Sequence, residues 1–278
     1  MTRIITLIVA ALALVAAPLS AQTGTPIRAW YGNIELKHLL SGKTRIDPAK
    51  AYIFVRSPQG RAAGTFVKTP TPAEIARYEA SDTSRQRLRR VPWPIDVRLL
   101  ANFGPKSFFD RTDGPNASFT YLIEVEPGEY TYLGPMIVTT HVPTPGKCYC
   151  MGSVKFLAKA GQITSLGDFL SLGWADREAL MQTTIDPASI PDRPAVPTDW
   201  SVPESLAQYP HAKAELRAAG RRDNFFNALV GRIPPVPGVL AYDRDAVIDL
   251  IAQAEADARA KAMPGSGSES SHIASAQP

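Results

Sequence analysis

The chain has 278 residues, a formal net charge of +4, 45% hydrophobic and 20% charged residues, and only 2 cysteines. This composition excludes a wholly disordered chain and a protein with several membrane spans, and two cysteines are too few for a disulfide framework. The length suits one large domain or two small ones. With 25 prolines, we expect a globular domain that carries irregular, proline-rich additions.

The N-terminus has the layout of a secretory signal peptide. Arg3 supplies a positive charge, residues 4–17 are almost entirely apolar, and Pro18 precedes a Leu-Ser-Ala sequence at which a peptidase can cut. The apolar run is shorter than the roughly 20 residues of a membrane span. We therefore predict a signal peptide over residues 1–21 and no transmembrane span after cleavage. Abundant Ala, Pro and Arg are typical of GC-rich bacterial genomes, so the predicted location is periplasmic or secreted.

A lead-in over residues 22–46 is followed, over 47–172, by the pattern of a β domain. Residues 51–55 are a continuous apolar run of strand formers, which predicts a strand covered on both faces. Apolar and polar residues alternate over 95–103 and 119–126, which predicts strands with one buried face. Further strands are predicted at 130–138, 148–158 and 162–170.

Two stretches of the β domain share one pattern. Residues 126–134 and 159–167 both read as a Gly-containing turn, an aromatic or β-branched residue, Thr, Leu and Gly. Because Pro127-Gly128 is typical of a tight turn, we predict two similar hairpin-like units, the second formed by 148–158 and 162–170 about Gly161.

Helices are predicted at three places. Thr71 and Glu74 have capping-box spacing with Pro72 at the first helical position, which predicts a helical insertion within 72–90. Residues 173–263 are predicted as a Pro-rich arm with short helices. One of these helices is expected at 210–219 and is capped by Gly220. The other is expected to begin at Asp243 or Asp245, with an apolar face formed by Val247, Ile248, Ile251 and Ala254. Residues 264–278 are predicted as a disordered tail.

The only site-like feature is the sequence Cys148-Tyr149-Cys150, which three interpretations fit. Both thiols fit an apolar strand face that they would share with Val154 and Phe156, where free cysteine behaves as a small hydrophobic residue. A local disulfide also fits, although residues two apart in a strand are separated by about 6.6 Å, so a bulge near Gly152 would help. The third interpretation is a redox site, or a copper or zinc site with His141 as a further ligand.

Other polar groups favour less specific roles. Glu124 and Glu126 share a strand face, but a solvated face explains this better than a pair of catalytic carboxylates. Arg85, Arg87, Arg89 and Arg90 form a cluster that a charged helix end explains better than an anion site. Trp174 and Trp200 are candidates for a contact surface, although docking of the arm on its own domain is the simpler expectation.

The residues around the first turn support a resemblance. Residues 125–133, Val-Glu-Pro-Gly-Glu-Tyr-Thr-Tyr-Leu, resemble the Pro-Gly-x-Tyr turn of transthyretin-like and carboxypeptidase-regulatory-like β-sandwiches of bacterial exported proteins. The segment 47–56 resembles the opening strand of such proteins. The resemblance covers about residues 47–170 and implies a small sandwich with binding, scaffolding or envelope roles. It brings no catalytic residues with it.

The predicted fold is mainly β: an antiparallel β-sandwich of about seven strands with a helical insertion and a Pro-rich, partly helical C-terminal arm. No nucleophile elbow, zinc-protease motif or phosphate-binding loop occurs in the sequence, so we expect no catalytic residues and no cofactor. We predict a non-enzymatic binding or structural module whose partner is an envelope protein or a surface polymer, not nucleic acid. The alternative is a thiol redox or soft-metal-handling protein that uses Cys148 and Cys150.

Overall fold

The computed structural model describes residues 32–58, 60–81, 99–104, 106–112, 118–137, 146–171, 198–222, 224 and 228–262. Several predictions fall on other residues. The signal peptide, the arginine cluster of the helical insertion, His141, Trp174, residues 173–197 of the Pro-rich arm and the C-terminal tail all lie outside the described ranges.

The described residues form mostly short strands and four α-helices. The helices are α1 (Leu36–Leu40), α2 (Pro72–Ser81), α3 (Glu204–Ala207) and α4 (Leu250–Ala262), and a 3-10 turn covers Phe169–Ser171. The strands are β1 (Asn33–Ile34), β2 (Ala51–Ser57), β3 (Gly64–Lys68), β4 (Leu100–Phe103), β5 (Asp110–Thr112), β6 (Ser118–Val125), β7 (Gly128–Gly134), β8 (Lys147–Cys148), β9 (Ser153–Ala158), β10 (Ile163–Ser165), β11 (His211–Lys213), β12 (Arg217–Ala219), β13 (Leu229–Val230), β14 (Leu240–Asp243) and β15 (Ala246–Asp249).

The strands pair into two larger and two smaller sheets. The first sheet has the order β1-β6-β2-β10-β11, with β5 also on β6, and the second has the order β12-β9-β7-β3-β4. The small sheets are β13-β8 and β14-β15. The prediction of a mainly β fold is confirmed. A single antiparallel sandwich of seven strands is not confirmed, because the larger sheets have six and five strands and β10 runs parallel to both β2 and β11.

Residues from both larger sheets share the main core. Ile53 and Tyr121 of the first sheet belong to the same buried cluster as Phe66 and Phe156 of the second. A second cluster covers the other face of the first sheet, where Leu206 of α3 joins side chains of β2, β6 and β10: Tyr52, Phe54, Leu122 and Ile163. Strand β2 is therefore buried on both faces, as its continuous apolar run predicts.

The two similar turns connect the sheets, so the prediction of hairpin-like units is wrong. The chain passes from the first sheet to the second between β6 and β7, and returns from the second to the first between β9 and β10. Gly161 lies in the second turn with a φ of +68°, a conformation that glycine adopts without a steric penalty. A strand with alternating apolar residues has one buried face whether the next strand lies in the same sheet or in the other sheet. The local pattern therefore does not distinguish a hairpin from a connection between sheets.

The segment predicted as a helix at 210–219 instead forms β11 and β12, so Gly220 caps no helix. Strand β11 pairs with β10 at the edge of the first sheet, and β12 pairs with β9 at the edge of the second. Ala214, Leu216 and Ala218 are buried, so the segment has a period of two. Ladder hydrogen bonds at two sheet edges outweigh the helix propensity of its Ala, Glu and Leu residues.

The C-terminal helix begins later than predicted. Residues 240–249 form the β14–β15 hairpin, and α4 starts at Leu250. Arg244 lies in the hairpin turn with a φ of +51°, and an arginine at this position does not carry the Asn-Gly signal of such turns. The Asp249 carboxylate then accepts hydrogen bonds from the N–H groups of Ile251 and Ala252 at 3.1 and 2.9 Å, which caps the helix.

The predicted capping box is confirmed at the start of α2. The Glu74 carboxylate accepts the Thr71 N–H at 2.7 Å, and the Thr71 hydroxyl oxygen accepts the Glu74 N–H at 3.2 Å. The Lys68 ammonium group also donates to Glu74 at 2.8 Å, which ties α2 to β3. Burial acts to raise the pKa of Glu74, but the hydrogen bonds from Lys68 and Thr71 outweigh it and lower the pKa to about 2.

We expect Glu74→Gln to lower the free energy of unfolding by about 2 kcal/mol at pH 7, because the charged carboxylate is better stabilised in the folded chain than in the unfolded chain. The folded pKa is depressed, so this contribution is present above the usual value of 4.5 and is lost as the pH falls toward about 2. Urea unfolding of both proteins between pH 7 and pH 2.5 should show the difference shrinking. As a control, Glu35→Gln removes an exposed ion pair with Lys37 and should cost less than about 0.5 kcal/mol. A difference that is constant with pH would contradict this assignment.

Candidate functional site

The two cysteines lie in one tight segment, residues 146–152, which we call the cysteine turn. Their sulfur atoms are joined in a disulfide, and their Cα atoms are 5.1 Å apart. The predicted continuous strand from 148 to 158 is broken here, because β8 ends at Cys148 and the Gly152 N–H donates to the Tyr149 carbonyl at 3.2 Å. The turn brings the Cα atoms closer than the about 6.6 Å of an extended strand, which makes room for the bond.

The disulfide is buried in a small apolar cluster of its own. Cys148 is 0% and Cys150 is 3% exposed, and both pack with Met136. Leu100 and Ala228 cover this cluster from the second sheet and from the segment before β13. The predicted face that combines both cysteines with Val154 and Phe156 is therefore wrong, since those two residues belong to the main core.

This environment is typical of a structural disulfide. Reactive thiols need partial exposure and positive surroundings, whereas these two cysteines are almost completely buried. His141, the proposed third metal ligand, lies outside the described residues. Among the residues that are described, no group of three or more His, Cys, Asp or Glu side chains could hold a metal ion.

Glu124 and Glu126 do not form a paired site. The Tyr52 hydroxyl donates to Glu124 at 3.2 Å, while the Lys50 ammonium pairs with Glu126. Burial and the negative charge of the Glu124 carboxylate raise the pKa of Tyr52 to about 12, although the hydrogen bond to the Asp47 backbone acts to lower it. Each carboxylate thus has its own structural partner at the end of the first sheet.

A small pocket that no sequence motif indicates lies at the edge where β10 and β11 meet. Lys159, Gln162, Thr164, Lys213 and Glu215 contribute to its lining, and its volume is about 30 Å³. The Thr164 hydroxyl is buried and has no hydrogen-bond partner among the residues that the structure describes. A space of this size corresponds to about one water molecule, far below the several hundred Å³ of an organic-ligand site.

Trp200 packs residues 198–201 of the Pro-rich arm onto the domain, as the simpler of the two expectations for this residue requires. Its ring stacks on Phe169 with centroids 6.0 Å apart, and the Lys213 ammonium lies 4.6 Å above it. The guanidinium of Arg56 pairs with the adjacent Asp199 and also donates to Ser201. No local sequence signal predicts the role of Arg56, because its partners are more than 140 residues away.

Comparison with known proteins finds no matching family model, no matching curated protein and no matching solved structure. Within the ranges that the structure describes, every helix is too short or too polar to cross a membrane.

Proposed function

We propose that this chain is an exported, non-enzymatic binding or structural module of the bacterial envelope. The observation that carries the proposal is the Cys148–Cys150 disulfide, whose two cysteines are buried. Structural disulfides persist in oxidising compartments such as the periplasm, and the N-terminal residues have the composition of a signal peptide. The transthyretin-like sandwich belongs to the same proposal, with the two larger sheets as its layers.

The binding surface that fits this role best is the outer edge of β13, which pairs with no strand other than β8 among the described residues. Leu229 and Val230 are adjacent apolar residues that are 74% and 49% exposed. The N–H groups of Leu229 and Gly231 point toward β8 and bond to it, so the backbone groups of Val230 point to the opposite side. An exposed edge of this kind accepts an extended segment of a partner protein as an added strand.

Export and oxidation are tested together by producing the full chain and a variant lacking residues 2–21 in a bacterial host. We expect the full chain in the periplasmic fraction, beginning at Gln22, with no thiol that reacts with maleimide until it is denatured and reduced. The variant should stay in the cytoplasm with two reactive thiols after denaturation. A full chain that keeps Met1 and remains cytoplasmic would contradict the proposed location.

The binding surface is tested with a photo-reactive residue at Val230, and with the same residue at the exposed Leu40 as a matched control. We expect covalent adducts with an envelope protein from position 230 and none from position 40. Equal labelling at both positions, or none at either, would contradict a binding role for β13.

A further inference from the structure

We propose that the disulfide is a reductant-sensitive clasp for residues 228–233, which we call the docking segment. In this arrangement the oxidised cysteine turn holds the docking segment in place. The docked segment in turn shields the sulfur atoms, so reduction must wait until the segment opens. The inference rests on the disulfide and its contacts, and it does not depend on the proposed export or binding role.

The docking segment is bonded to the cysteine turn along the whole length of the turn. The N–H groups of Leu229, Gly231 and Ile233 donate to the carbonyls of Gly146, Cys148 and Gly152 at 3.3, 2.8 and 3.0 Å. The Met151 N–H returns a bond to the Gly231 carbonyl at 3.0 Å. These acceptors lie before, at and after the disulfide. All four bonds therefore fit together only while the turn keeps the shape that the disulfide imposes.

Side-chain packing also holds the docking segment against the cysteine turn. Ala228 covers the cluster formed by the two cysteines and Met136, and Ile233 is 6% exposed within the main core. A dithiol thiolate has to approach one sulfur in line with the disulfide bond, which the packed docking segment prevents. Ile233 is the side chain whose removal should most readily loosen the segment, because it is the buried apolar anchor of that stretch.

A dithiol reductant opens the disulfide in two thiol–disulfide exchange steps. One thiolate of the dithiol attacks a cysteine sulfur, the disulfide bond breaks, and a mixed disulfide forms. The second thiol of the reagent then closes its own ring. Two electrons pass to the protein, which gains two protons and is left with two thiols, while the dithiol becomes a cyclic disulfide. Shielding of the sulfurs slows reduction, whereas the effect of the bond on docking is an equilibrium one. If reduction weakens docking, docking must make the disulfide harder to reduce at equilibrium by the same free energy, because linkage between two equilibria is reciprocal.

The first test measures how fast dithiothreitol reduces the folded full-length protein, using maleimide labelling and intact mass. We expect Ile233→Ala to accelerate reduction by at least about tenfold, since truncation of a buried aliphatic side chain weakens docking. The matched control is Leu157→Ala, because Leu157 is 54% exposed on β9 and should change the rate by less than about twofold. Equal rates in the two variants would overturn the gating role of the docking segment.

The second test follows hydrogen exchange in the oxidised and reduced wild-type protein. We expect the amides of Gly231, Met151 and Ile233 to lose protection on reduction, while those of β2 and β6 keep theirs. If Gly231 stays protected, the disulfide does not hold the segment and the clasp is overturned. Loss of protection in β2 and β6 as well would also overturn it, because the disulfide would then support the whole fold. The β2 and β6 amides of Ile233→Ala also show whether that variant remains folded.

Discussion

Phe66→Ala is expected to lower the free energy of unfolding by about 4 kcal/mol. Phe66 is fully buried at the centre of the main core. Its ring centroid lies 5.7 Å from that of Phe103, 5.5 Å from that of Tyr132 and 5.7 Å from that of Phe156. Truncation therefore removes three aromatic contacts and leaves a cavity that rigid strands on both sides cannot fill.

Urea denaturation followed by circular dichroism measures this loss. The control is Leu40→Ala, since Leu40 is 72% exposed at the end of α1 and its truncation should cost less than about 0.5 kcal/mol. Phe66→Leu keeps most of the volume and should fall between the two. A decrease in the free energy of unfolding below about 1.5 kcal/mol for Phe66→Ala would mean that the aromatic cluster is not a main source of the stability of the core.

Gly167→Ala is expected to detach residues 198–201 of the Pro-rich arm from the domain and to lower the free energy of unfolding by about 3 kcal/mol. A Cβ at this position would lie 1.8 Å from the Asp199 carbonyl oxygen. The obstacle is backbone, so it cannot rotate away as a flexible side chain could. Gly167 also has a φ of +50°, which an alanine adopts only with strain.

The expected result is a lower unfolding free energy together with faster proteolysis near Trp200, because that ring has to leave Phe169 when the arm lifts. Gly220→Ala is the matched control, since no atom lies within 4 Å of the Cβ that it would add. That variant should keep the stability of the wild type within about 0.5 kcal/mol. Unchanged protease resistance in Gly167→Ala would show that the arm tolerates the shift without undocking.

Some elements were predictable because one local pattern determines them. The apolar run at 51–55 predicts a strand buried on both faces, and β2 is that strand. The spacing of Thr71 and Glu74 predicts the start of α2, because the capping hydrogen bonds join residues only three apart. Such interactions form within one turn of chain and need no partner from elsewhere.

The candidate site was predictable only in part. The sequence places Cys148 and Cys150 two residues apart and leaves core thiols, a disulfide and a metal site open. The choice between them depends on how the backbone turns at Tyr149 and on what covers the sulfurs. The sulfurs are covered by Ala228, and the cysteine turn is held by the rest of the docking segment, which lies about 80 residues further along the chain.

The sequence by itself predicted the mainly β character of the described residues within 47–172 and the buried strand at 51–55. It did not predict where every strand ends, since the predicted strand 148–158 is broken at the cysteine turn. It could not determine which strands pair, because alternation marks a buried face but not the neighbour that buries it. Only the tertiary structure decided that 211–219 forms strands at two sheet edges instead of a helix. The backbone groups of β9 and β10 at those edges are distant in sequence from residues 211–219. The hydrogen bonds formed with them together outweigh the local helix propensity.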